Sequence, residues 1–178
     1  ANRFGQVSPT TAAHVADELG ALLTPDDVIL DGGPCGVGVE STIVDCTADA
    51  PVILRPGAVS ADDVRAATGL PLGERSHVRA PGTLASHYAP RATVRLCTAD
   101  EARALTPPIG LLALAHIATP PGVVRLSAPA DADEYAQVLY AALREADALA
   151  LPAVAAVPPD ESGIGAAVAD RLRRAAHG

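Results

Sequence analysis

Between Gly32 and Gly57 the sequence gathers residue types that suit phosphate chemistry. Gly32, Gly33, Gly36 and Gly38 supply backbone that can approach a ligand closely or adopt positive φ. Arg55 leaves the apolar run Val52–Leu54 with a planar guanidinium fork that fits a phosphate. The same spacing also fits a glycine-rich hairpin turn that binds nothing. Ser8 is a second candidate. Ser8-Pro9-Thr10-Thr11 has the order of a helix start, with Ser8 as N-cap and Pro9 at the first helical position. The N–H groups and positive dipole end of such a helix attract an anion, although most N-cap serines only cap. A third group is Pro81-Gly82-Thr83-Leu84-Ala85-Ser86-His87-Tyr88-Ala89-Pro90, where His87 and Tyr88 are the only ring-bearing polar pair nearby.

These residues need elements to hold them. Ala12, Val15, Leu19, Leu22 and Leu23 share one helical face, which predicts a helix over roughly 9–21. Val28–Leu30, Ser41–Cys46 and Val52–Arg55 read as strands, and Ser60-Ala61-Asp62-Asp63 as a capping box opening a helix to about Thr68. Leu70–Thr93 has no periodicity and carries Pro71, Gly73, Pro81, Gly82 and Pro90, so it reads as a long linker with a functional or tethering role. Strands are then expected at Val94–Cys97, Ile109–Leu114, Val123–Leu126 and Ala153–Val157. Helices are expected at Asp100–Leu105, Ala132–Ala148 and Gly163–Ala175. The alternation argues a small parallel, Rossmann-like sheet. No G-x-G-x-x-G opens its first helix, so a dinucleotide site there is unsupported.

The chain is 49% hydrophobic and 19% charged, which suits a packed globular protein. A net charge of −8, with no lysine and no basic run, argues against a face that tracks a nucleic-acid backbone. Cys35, Cys46 and Cys97 lie far apart without metal-ligand spacing and read as reduced thiols, so the expected location is cytoplasmic. The longest apolar run, Ile109–Ala118, is too short to span a bilayer. The loop-like start Ala1-Asn2-Arg3-Phe4-Gly5 reads as the later portion of something longer.

Glu40-Ser41-Thr42-Ile43-Val44-Asp45 followed by Leu54-Arg55-Pro56-Gly57 resembles the end of the YrdC-like domain of threonylcarbamoyl-AMP synthases. Other stretches fall in that family's order: Ser8–Val15, Asp31-Gly32-Gly33, His87–Pro90, L-Y-x-x-L-R-x-x-D at Leu139–Asp147 and G-I-G-x-A-x-x-D-R-L at Gly163–Leu172. The whole chain is thereby similar to the C-terminal portion of the long, two-domain form. The resemblance implies the C-terminal part of a YrdC-like twisted open α/β sheet over 1–69, an interdomain linker over 70–93 and a Rossmann-like domain over 94–178, with separate cores.

It also implies the condensation of L-threonine, bicarbonate and ATP into threonylcarbamoyl-AMP and pyrophosphate, with Mg²⁺ on the nucleotide, for tRNA modification. Asn2 and Ser8 would sit on the nucleotide, Ser41 on threonine and Arg55 on the phosphates; leaving a strand beside the glycine-rich loop, the Arg55 guanidinium is expected in a pocket shared with Ser8 and Ser41. Tyr88, with His87 beside it, would bring the linker over the site. No direct tRNA binding and no membrane are implied, while partner proteins of the tRNA-modification pathway are. Two departures stand out. The family's lysine–arginine region precedes the serine-alanine-asparagine signature, of which only Ala1-Asn2 remain, and Thr83 stands where methionine is more usual. The chain alone is therefore expected to be inactive. A non-catalytic interaction module and an RNA-binding translation factor are the alternatives.

Overall fold

The computed structural model describes residues 2–3, 5–82 and 87–177; Ala1 and Thr83 fall outside them. In chain order the elements are α1 (Ala12–Leu19) with a 3₁₀ turn (Gly20–Leu22), β1 (Ile43–Asp45), β2 (Val52–Arg55), α2 (Ala61–Thr68), β3 (Thr93–Leu96), α3 (Ala99–Ala102), β4 (Gly110–Leu112), β5 (Val124–Ser127), α4 (Ala132–Ala148), β6 (Ala153–Ala156) and α5 (Gly165–Ala175). The expected parallel α/β sheet is present. Its four strands run in the order β3-β6-β4-β5, all parallel, and β1 pairs antiparallel with β2 in a separate two-stranded ribbon.

The central strands β4 and β6 are covered on both faces, which explains why they are apolar and buried throughout. Along β6, Val154 and Ala156 face the cluster built with α4 and α5, whereas Ala153 and Ala155 face the cluster containing Ala102 of α3. Asp131 caps α4 by accepting from the Glu134 N–H, and Tyr135 anchors the helix by donating to the Leu112 carbonyl at 3.1 Å. Ser60 and Asp63 form the expected capping box, and Gly69 ends α2 in the left-handed region.

Three expectations need correction. The first helix is capped by Thr11, whose hydroxyl accepts from the His14 N–H, so it starts at Ala12. Ser8 lies three residues before that cap, and its hydroxyl instead donates to Glu40 at 2.6 Å. Val28–Leu30 forms no strand: Val28 and Leu30 are 77% and 89% exposed, and no neighbouring strand among the described residues supplies the ladder that a strand requires. Finally, the early segment does not keep its core to itself. Val7 and Tyr88 belong to the same buried cluster as Leu139, Leu143, Val168 and Leu172. A two-stranded ribbon buries too little apolar surface alone, and Arg171 of α5 donates to the Pro56 carbonyl just after β2.

Candidate functional site

β1 and β2 bring Ser41 and Arg55 together. Ile43 pairs with Arg55 across the ribbon, so the chain entering β1 runs beside the Arg55 side chain. Arg55 is only 8% exposed. Its Nε donates to the Ser41 carbonyl at 3.1 Å, its Nη2 to the Ser41 hydroxyl at 3.3 Å, and its Nη1 to the Pro81 carbonyl at 3.1 Å. Gly57 makes the close approach possible, since a β-carbon there would overlap the Ser41–Thr42 backbone.

Tyr88 reaches the same place from the other side. It is a buried residue with φ of +62°, a left-handed backbone that costs a non-glycine residue about 1–3 kcal/mol. Its neighbours hold it there: the Ala89 N–H donates to the Gly5 carbonyl and the His87 N–H to the Arg174 carbonyl. The Tyr88 ring lies 4.1 Å from the His87 ring and 5.6 Å from the Tyr140 ring, between centroids. Gly82 passes over the Tyr88 hydroxyl and Arg55 Nη1 so closely that a β-carbon would not fit. Burial and the Glu40 charge push the pKa of the Tyr88 hydroxyl up, and burial pushes that of His87 down.

Ser8 and Asn2 occupy a different opening, a cavity of about 270 Å³ lined also by Cys35, Glu40 and Tyr140. The Asn2 amide nitrogen donates to the carbonyls of Arg3 and Gln6 within its own loop. Larger cavities of about 470 and 570 Å³ lie elsewhere and contain none of the expected site residues. Ser41, Arg55 and Tyr88 make one group, Asn2 and Ser8 another, and Glu40 stands between them.

Glu40, which local sequence marks only as part of a motif, organises the centre. One oxygen accepts from Ser8; the other accepts from Tyr140 at 2.7 Å and from Arg171 Nε at 2.8 Å. Burial alone would raise its pKa, but the bonds from Ser8 and Arg171 outweigh burial and hold the carboxyl below its ordinary value. For Arg171, burial works against the charge, and the Tyr140 and Glu40 oxygens more than offset it. Arg171 had a visible signal: it falls on the apolar stripe of α5, three residues after Val168, where a charge must find partners inside. Among the described residues, no group of three His, Cys, Asp or Glu side chains could hold a metal ion, and no helix is long and apolar enough to cross a membrane.

A family model described as the C-terminal domain of threonylcarbamoyl-AMP synthase matches residues 50–177, and one described as telomere recombination matches residues 1–57. The threonylcarbamoyl-AMP synthase of Bacillus subtilis (strain 168) is 32% identical over 197 residues, covering 100% of this chain and 56% of its own length. The crystal structure of Pyrococcus abyssi Sua5 complexed with L-threonine is similar with a TM-score of 0.81 at 29% identity, over 99% of this chain and 56% of that one. A structure of the same archaeal protein with a neighbouring histidine and tyrosine both replaced by alanine gives 0.82 at 28% identity, over 99% and 55%. The chain thus spans about half the length of these relatives.

Proposed function

The chain belongs to the threonylcarbamoyl-AMP synthase family, and from that premise we propose that it is the later part of an L-threonylcarbamoyladenylate synthase. This enzyme is a nucleotidyltransferase that condenses L-threonine, bicarbonate and ATP into threonylcarbamoyl-AMP and pyrophosphate, and its product feeds tRNA modification. Ser41 hydrogen-bonds threonine, Arg55 neutralises phosphate charge, Asn2 and Ser8 contact the nucleotide, and Tyr88 with His87 brings the linker over the reacting groups. Mg²⁺ belongs to the nucleotide substrate and rides on its phosphates. Catalysis by such a site is positioning plus charge neutralisation.

The observation that carries this reading is the direct contact between Arg55 and Ser41, which sets a cation beside a hydroxyl at the mouth of one ribbon. Two likenesses support it. The similar archaeal protein was crystallised with L-threonine, and the histidine–tyrosine pair altered in its variant has one counterpart by type here, His87-Tyr88. The test joins this chain to the preceding half that its relatives carry and measures pyrophosphate release from ATP. Release should depend on threonine and bicarbonate, and Ser41→Ala should raise the KM for threonine more than that for ATP. Release that ignores threonine, or an unchanged threonine KM in Ser41→Ala, would remove the reading. The chain by itself is expected to release none.

A further inference from the structure

Arg171 has a side chain with no exposed surface, and its guanidinium reaches four places at once. Nε donates to Glu40 at 2.8 Å, Nη2 to the Pro56 carbonyl at 3.0 Å, and Nη1 to Asp170 at 2.5 Å. Its Cζ lies over the Tyr88 ring, 5.2 Å from the ring centre. Glu40 is the residue before Ser41, and Pro56 is the residue after Arg55. One rigid fork therefore grips the chain beside both members of the Ser41–Arg55 pair while lying over the third residue of that group.

We infer that Arg171 is the positioning residue through which α5 sets the spacing and orientation of Ser41 and Arg55, without touching substrate itself. The inference rests on the roles proposed above for those two residues. Stability alone explains Arg171 poorly. Burying an ion pair costs several kcal/mol of desolvation per ion, and a well-packed apolar residue commonly serves a core as well. What an apolar residue cannot do is hold a carboxylate and a carbonyl at a fixed separation. Glu40 is no rival for a chemical role, because both its oxygens already accept from Ser8, Tyr140 and Arg171. The loop that carries Glu40 is also seated on α4. Gln137 Nε2 donates to the Gly36 carbonyl at 2.9 Å, and Gly38, at φ +84°, lies against the Ala136 carbonyl.

Two measurements on Arg171→Lys test this. Lysine keeps a charge for Glu40 but loses the rigid fork that fixes the spacing of Glu40 and Pro56. In this chain as it stands, hydrogen–deuterium exchange of the segment 40–57 should speed up about tenfold or more, while β3–β6 keep their protection. In the enzyme completed with its preceding half, kcat/KM for threonine should fall about tenfold or more. That loss should shrink on a Ser41→Ala background, because both changes act through the same group. The paired variant Arg171→Met with Glu40→Gln removes both buried charges and should show the same exchange phenotype if the single variant folds poorly. Unchanged exchange over 40–57 would overturn the inference whatever the activity does, as would kinetic losses that simply multiply with Ser41→Ala. Faster exchange in the variant, with no threonine dependence in the completed wild type, would sink the functional reading and leave the positioning role standing.

Discussion

Glu40 makes the stability of this protein sensitive to acid, and the sign follows from its bonds. Its folded pKa lies below the ordinary carboxylate value because Ser8 and Arg171 outweigh burial. Its contribution is therefore complete above about pH 4.3 and disappears as pH falls through the lower folded value. His14 and His87, both shifted down chiefly by burial, begin to lose theirs earlier, below about pH 6.5. Glu40→Gln should flatten the lower limb of a plot of urea midpoint against pH and deepen the His87 part of the histidine limb, since the Glu40 charge partly offsets the burial that lowers the His87 pKa. At Arg55, replacement by alanine should cost on the order of 2–4 kcal/mol of transition-state binding in the completed enzyme, measured as kcat/KM. Lysine should recover only part, since two bonds to Ser41 and one to Pro81 need a fork. That Ser41 and Arg55 lie together was legible in the sequence, because both stand at the outer ends of short strands joined by a polar turn. The roles of Glu40 and Arg171 were not, because their meaning lies in a contact across 131 positions that no local pattern encodes.

At the level of elements, the glycine loop docked on α4 gives the clearest forecast. Gly38→Ala would place a β-carbon onto the Ala136 carbonyl at a left-handed φ. The expected loss is on the order of 3 kcal/mol, seen in urea denaturation, with threonine binding weakened because Glu40 and Ser41 shift with the loop. The helices and strands of the parallel sheet were largely readable beforehand. α4 occupies Ala132–Ala148 as its stripe of Tyr135, Leu139, Ala142, Leu143 and Ala146 requires, since such periodicity has one packing solution. Ser60 was read correctly because a capping box is local chemistry. Thr11 was missed because Ser8 is an equally good cap whose hydroxyl is engaged by Glu40, 32 residues away. Val28–Leu30 misled for a related reason: an apolar triplet shows strand potential, and only a neighbour makes it a strand.

Across the whole molecule, the connection between the ribbon and the parallel sheet should be its weakest backbone. Residues 71–80 carry no helix or strand, and Arg75 and Arg79 are exposed. Brief trypsin treatment should cut first after these two arginines, leaving a fragment with β3–α5 that resists further digestion, as sequencing of its new N-terminus would show. First cuts at Arg144 or Arg171 would contradict the packing described. The shared cluster of Val7, Tyr88, α4 and α5 has a further consequence, in the timing of biosynthesis. The ribosome delivers Glu40, Ser41 and Arg55 early, but Arg171 emerges only after roughly ten seconds more at about 5–20 residues per second. During that interval the chain flanking the ribbon lacks the Arg171 bonds to Glu40 and Pro56. This segment should therefore depart from the usual N-terminal-first order of folding, gaining its bonds to Arg171 only once α5 has been translated.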